Sequence, residues 1–219
     1  MSELIVMLTH NDLTVGNAEE VFDQCRNSKA KYWGFKEAPL PLENMKRLYR
    51  NMKDHGKKTA LEVVAYTPEE GLAGAQMAAE CGCDILMGTC YTKEIMDFCA
   101  AHQIQYMPFV GIINGRPSVL SGSIESMIAE GQRYAEAGAF GIDLLGYRYI
   151  HNPDELIERL VKRLSAPVCV AGSIASYQQL DTIKAINPWA ITIGSAFFEN
   201  AFGNDMADQI DCVCDYLAK

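Results

Sequence analysis

The chain has 219 residues, 49% of them hydrophobic and 21% charged, enough to bury one sizeable core and with no low-complexity tract. Its formal charge of −9 argues against nucleic acid or an anionic membrane as partner, because both call for a basic face. No apolar run approaches the roughly 20 residues of a membrane helix.

Strand-length apolar runs alternate with amphipathic helical stretches along the whole chain, the pattern of a parallel α/β fold. The first strand is expected at Leu4–Leu8, which follows a glutamate and no basic leader and so reads as a strand rather than a secretion signal. His10, Asn11 and Asp12 come next as rim residues, with His10 read as a proton shuttle or, together with Asn11 and Asp12, as a cap of the helix at Asn17–Cys25. The second strand, Tyr32–Phe35, ends in Lys36-Glu37-Ala38-Pro39, and its helix is Leu42–Asp54. The third, Thr59–Ala65, carries Glu62 between apolar neighbours. Thr67-Pro68-Glu69-Glu70 then opens a helix with a capping hydroxyl, a first-position proline and first-turn acids.

Asp84–Met87 is the fourth strand and Gln105–Val110 the fifth, which runs into a long polar loop at Gly111–Ser123 ahead of helix Ile124–Ala137. The sixth, Gly141–Leu145, carries Asp143 and ends at Gly146-Tyr147. Asn152-Pro153-Asp154-Glu155 caps the helix after it. The last two strands, Val168–Ala171 and Ala190–Ile193, each end in a small turn: Gly172-Ser173 before a helix capped by Ser176, and Gly194-Ser195 before Ala196-Phe197-Phe198. Asp205–Leu217 is the final helix. Eight strands and eight helices fill the chain, which predicts an α/β fold of one domain over 1–219, a single (β/α)8 TIM barrel. An open doubly wound sheet would need fewer strands and a glycine-rich first turn, where this chain has His10-Asn11-Asp12.

Two small-residue turns at the ends of neighbouring parallel strands leave backbone N–H groups converging on one spot. Gly172, Ser173, Gly194 and Ser195 are therefore expected to bind phosphate. The segments Ala171-Gly-Ser-Ile-Ala-Ser176 and Ile193-Gly-Ser-Ala-Phe-Phe-Glu199 resemble the ribulose-phosphate-binding barrel superfamily. The resemblance implies a sugar-phosphate ligand held by these turns. Ser173 stands where a second glycine is usual in that superfamily, which is tolerable if its backbone angles are ordinary. The superfamily's D-x-K-x-x-D decarboxylase pattern, its paired-histidine epimerase pattern and the strand-six Schiff-base lysine of its aldolases are absent.

At the C-terminal rim of the strands the candidates for catalysis are Glu62, Asp143, Lys36 and His10. A buried glutamate must be paired or hold a raised pKa, and either suits proton transfer. Lys36 is its expected partner; a structural ion pair accounts for Glu62 equally well. If it points inward, Asp143 faces the mouth opposite Glu62, the two acting as acid and base; otherwise it accepts backbone amides from the Gly146 turn. Lys36 serves as an electrostatic stabiliser, or as a Schiff base if burial lowers its pKa. Cys90 reads as an inert buried thiol, and Arg116 as part of a solvated loop or of a lid.

The eight cysteines are expected as reduced thiols in a cytoplasmic protein, and Cys81-Gly-Cys83 and Cys212-Val-Cys214 as packing residues. No metal or cofactor is expected. The expected function is proton transfer next to a carbonyl of a phosphorylated metabolite, as in an isomerase or epimerase. Lyase-type carbon–carbon cleavage and a non-catalytic metabolite sensor are the alternatives. Apolar helix faces suggest a homodimer.

Overall fold

The computed structural model describes residues 1–219, and its parallel strands form a (β/α)8 barrel. The strands are β1 (Glu3–Met7), β2 (Tyr32–Lys36), β3 (Lys58–Val63), β4 (Ile85–Gly88), β5 (Gln105–Met107), β6 (Ile142–Leu144), β7 (Val168–Val170) and β8 (Ala190–Ile193). Seven of the eight neighbouring pairs are regular ladders, running in the order β6-β7-β8-β1-β2-β3-β4-β5. The eighth closes through single bonds: the Phe140 N–H donates to the Tyr106 carbonyl (2.9 Å) and the Asp143 N–H to the Pro108 carbonyl (3.0 Å). Pro108 has no N–H of its own, which is why β5 stops at Met107 rather than Val110.

Around the barrel lie α1 (Ala18–Cys25), α2 (Leu42–Asp54), α3 (Pro68–Cys81), α4 (Lys93–Ala101), α5 (Ile124–Glu136), α6 (Pro153–Arg163), α7 (Tyr177–Ile186), the short α8 (Ser195–Phe198) and α9 (Met206–Ala218). The expected caps form. Thr67 accepts from the Glu70 N–H at the start of α3, Asn152 from Glu155 at α6 and Ser176 from Gln179 at α7. No helix is long and apolar enough to cross a membrane.

Alternation along each strand sorts the core into two parts. Val6, Leu61, Leu86, Leu144, Val170 and Ile191 point outward into a large layer between strands and helices. Ile5, Met7, Ala60, Ile85, Met87, Met107, Cys169 and Ala190 point inward and fill the barrel. Tyr32, Phe140 and Trp189 pack against the inner cluster, with both other rings edge-on to the indole. Two steps along β3 from inward-facing Ala60 comes Glu62, and two along β2 from Gly34 comes its register partner Lys36. Asp143 is the register partner of inward-facing Cys169. Lys36, Glu62 and Asp143 thus share the inward parity.

Two connections differ from the sequence expectation. Thr9–His10 pairs antiparallel with Leu13–Thr14, so Asn11 and Asp12 form a two-residue hairpin turn rather than a cap of α1, whose cap position is Asn17. Both turn residues have positive φ (50° and 65°), the geometry such a turn requires and one that Asn and Asp tolerate. The loop after β5 contains a second hairpin, Ile112–Asn114 with Val119–Ser121.

Candidate functional site

A cavity of about 500 Å3 opens at the C-terminal end of the strands. One end is made of backbone. Gly172 to Ala175 after β7 and Gly194 to Ala196 after β8 line the same space. The N–H groups of Gly172, Ser173, Ile174 and Gly194 donate to no protein acceptor, whereas the Ala175 N–H is taken by Gln179 Oε1. Gln179 also donates to the Ser173 carbonyl, which braces the turn from α7.

Both glycines are sterically required. A β-carbon on Gly194 would stand 2.4 Å from Thr9 Oγ1, and Gly172 has φ +103° and lies against Arg148. Ser173 follows at φ +74°, in the left-handed region. Its backbone is therefore not ordinary, contrary to the condition set from the sequence, and the position carries roughly 1–2 kcal/mol of strain that a glycine would not. Two successive left-handed residues turn the free amides of this bend outward from the strand, a geometry suited to an anion. The Asn11 N–H donates to Ser195 Oγ (3.1 Å) and ties α8 to the first hairpin.

The other end of the cavity is charged. Lys36 Nζ lies 3.3 Å from Glu62 Oε1 and 3.0 Å from Asp12 Oδ1. Asp12 also receives both guanidinium nitrogens of Arg148, each at 2.9 Å. The first hairpin carries Asp12 to this place. Thr14 Oγ1 accepts the Lys36 N–H (3.0 Å) and donates to the Lys36 carbonyl (2.8 Å), pinning the hairpin to the end of β2.

Burial alone would raise the Asp12 pKa, yet the Arg148 hydrogen bonds and the Lys36 charge hold its carboxyl well below the usual range. Burial likewise opposes the Lys36 ammonium, but Glu62 and Asp12 outweigh it and raise the lysine above its ordinary value. Lys36 is a stable cation here, and burial does not turn it into a free amine.

Asp143 corrects one expectation. It is 0% exposed, does not line the cavity, and neither of its carboxylate oxygens has a hydrogen-bond partner, so it neither faces the mouth nor accepts amides from the Gly146 turn. Burial first, and then the Glu62 charge, push its pKa well above the ordinary aspartate value, with Lys36 opposing only in part. His10 is also outside the cavity. Its Nε2 is 3.4 Å from Glu199 Oε1 and its ring packs on Phe198, at the rim and apart from Lys36 and Glu62. Cys90 does not line the cavity, and burial pushes its thiol up.

Sequence reasoning placed Asp12 at the rim, as part of a helix cap and not as the partner of two cations, and did not single out Arg148. The signal for Asp12 was the Asn-Asp pair between Thr9-His10 and Leu13-Thr14. For Arg148 it was a lone cation just past the Gly146 turn, on a 3-10 turn (Gly146–Arg148) that the strand-helix pattern does not announce.

The second hairpin roofs the cavity with Pro117, Ser118 and Val119. Arg116 reaches Glu37 Oε1 (2.5 Å) and the Val64 carbonyl on one side, and the Tyr66 hydroxyl donates to the Gly115 carbonyl (2.7 Å). Across the mouth, the Ile150 N–H donates to the Leu120 carbonyl (3.0 Å).

No protein-family model matches the sequence, and no curated protein matches it either. Solved structures do. Orotidine 5′-phosphate decarboxylase from Pyrococcus horikoshii superimposes with a TM-score of 0.72 at 16% identity, over 98% of this chain and 99% of that one. Phosphoribosyl anthranilate isomerase from Thermotoga maritima gives 0.68 at 15% identity, over 100% and 99%. N-acetylmannosamine-6-phosphate 2-epimerase from Clostridium perfringens gives 0.64 at 13% identity, over 89% and 86%. The chain's structural neighbours are thus ribulose-phosphate-binding barrels, as the two glycine turns implied, and at these identities the likeness is one of fold.

Proposed function

We propose that this barrel is an enzyme that grips a small phosphorylated metabolite by its β7 and β8 turns and moves a proton beside a carbonyl. One observation carries the reading: the unpaired amides of Gly172–Ile174 and Gly194 and the Lys36–Glu62 pair line a single cavity. The phosphate would occupy the amide end, fixing the other end of the ligand against the charged residues. Solved neighbours that act on phosphorylated compounds lend the reading support at the level of fold.

Glu62 is the group for proton transfer. It takes a proton from the carbon next to the carbonyl, and the electron pair left behind moves onto the carbonyl oxygen to give an enediolate. The Lys36 ammonium stabilises that oxygen, the proton of the hydroxyl on the neighbouring carbon passes across to it, and as the carbonyl re-forms on that neighbouring carbon Glu62 returns its proton to the former carbonyl carbon. Asp12 is a poor base because two cations hold its charge. Asp143 touches no ligand space, so a second carboxylate on the opposite face of the sugar is not assigned. A single base delivering to one face favours isomerisation over epimerisation. Cleavage through a Lys36 Schiff base is disfavoured, because Glu62 and Asp12 keep that lysine protonated.

The test is solvent exchange. In deuterium oxide, a panel of ketose and aldose phosphates is expected to gain deuterium next to the carbonyl. Glu62→Gln should lower the rate by about 10²–10⁴-fold with phosphate-dependent binding retained. Binding without exchange would make the protein a sensor. A borohydride-trapped adduct on Lys36 would make it a lyase.

A further inference from the structure

Five charged side chains line the cavity: Glu199 is exposed at the rim beside His10, and Asp12, Lys36, Glu62 and Arg148 form one linked cluster. Each cation already has a carboxylate. Lys36 is held by Glu62 and Asp12, and Arg148 is forked onto Asp12. Within the cluster, two positive and two negative charges cancel. Asp143 is fully buried and outside the cavity lining, and burial followed by the Glu62 charge raises its pKa, which disfavours a further negative charge here.

This balance restricts what the far end of a phosphorylated ligand can be. A carboxylate there would have to break the Arg148–Asp12 fork, leaving Asp12 short of a partner, or stand unpaired among nearly buried groups. Either cost is large where water is scarce. An uncharged carbonyl or hydroxyl meets no such cost. Lys36 has a third donor free beyond the two carboxylates it serves, and Glu62 has a second oxygen.

Resting on the proton-transfer reading, we infer that Asp12 is a specificity-determining residue: by neutralising Arg148 and Lys36 it admits phosphate monoesters with an uncharged carbonyl end and rejects those that end in a carboxylate. The negative charge is delivered from a hairpin turn that is anchored to β2 twice, through the Asp12 carboxylate on Lys36 Nζ and through the Thr14 hydroxyl on both backbone groups of Lys36, and the second anchor remains when the charge at residue 12 is removed. Charge at residue 12 is therefore separable from the scaffold that presents it. In a specificity device of this kind, discrimination comes from what the site makes costly as much as from what it attracts.

The experiment compares two hexose-derived phosphates that differ at the end remote from the phosphate, fructose 6-phosphate and 6-phosphogluconate, by calorimetry on the full chain, with inorganic phosphate as competitor. The wild-type protein is expected to favour the ketose phosphate by about tenfold or more. Asp12→Asn leaves one surplus positive charge, so the preference should fall by about tenfold or invert, through a gain in affinity for the acid. Arg148→Gln should move the ratio in the opposite direction and keeps the test decisive if the first variant does not fold. Equal affinities in the wild-type protein, with inorganic phosphate displacing both ligands, would overturn the role of Asp12 and leave the phosphate site standing. Ratios unchanged in both variants would overturn it as well. Binding of neither ligand, with no sign of inorganic phosphate in the cavity, would remove this inference and the phosphate reading together.

Discussion

Gly172 and Arg148 are packed so closely that a β-carbon at residue 172 would stand 2.9 Å from Arg148 Cγ and 3.1 Å from its backbone nitrogen. The turn proposed to hold phosphate and the residue that neutralises Asp12 are therefore in direct contact. A change in one end of the cavity reaches the other through a single glycine.

Gly172→Ala should damage both ends. The new methyl group meets Arg148, and φ +103° is a conformation alanine adopts only under strain. The expected result is about 1 kcal/mol or more of lost stability together with a larger loss of phosphate affinity. Thermal melts alongside phosphate titration would check it, and unchanged phosphate affinity would place the anion elsewhere.

Lys36→Met removes the cation that Glu62 depends on, whereas Asp12 keeps its fork with Arg148. Breaking one side of a buried pair costs about 3–5 kcal/mol. Adding Glu62→Gln in the same chain should recover part of this, because the uncompensated charge goes with it. Urea unfolding of the two single variants and the double variant tests the expectation. Strict additivity would mean that the two residues do not act as a pair.

Asp143 gives a pH dependence with a definite sign. Its folded-state pKa is raised, so above the ordinary aspartate value of about 3.9 the folded chain holds a proton that the unfolded chain has released. The folded state then binds more protons, and this residue's contribution to stability falls as pH rises. Asp143→Asn removes that dependence. The variant should gain on the wild type by about 1.4 kcal/mol per pH unit upward from about pH 4, until the folded carboxyl itself ionises. Parallel curves of unfolding free energy against pH would show that Asp143 is ionised in the fold.

The second hairpin is held by few bonds. Arg116 is 42% exposed at its side chain, so Arg116→Ala should cost under about 1 kcal/mol of global stability. Freed from Glu37 and Val64, residues 112–121 should nevertheless exchange their amide hydrogens faster than in the wild type, and more so when Tyr66→Phe also removes the bond to Gly115. Mass-spectrometric hydrogen exchange reads this directly. Unchanged protection would mean that Leu120 and its bond to Ile150 hold the roof alone.

The barrel was legible because its signals are local. Apolar runs such as Leu4–Leu8 and Ala190–Ile193, and caps such as Thr67-Pro68 and Asn152-Pro153, depend on residues within a few positions of one another. The two glycine turns after β7 and β8 were legible for the same reason: small residues at strand ends reveal free backbone whatever surrounds them. Glu62 with Lys36 was also within reach, since adjacent parallel strands place polar residues near their ends side by side.

What the letters of the chain determined, then, was the alternation of strand and helix, the small turns at one rim and a short roster of polar side chains near it. The tertiary structure decided which of those side chains share a cavity. Strand parity and barrel closure put Asp143 under the floor and His10 on the outer rim, and a hairpin turn with a 3-10 turn brought Asp12 and Arg148 together across 136 positions. Periodicity is written in neighbours along the chain, whereas charge pairing and burial depend on the full path of the backbone, and a shift of one residue on a strand reverses which way a carboxylate points.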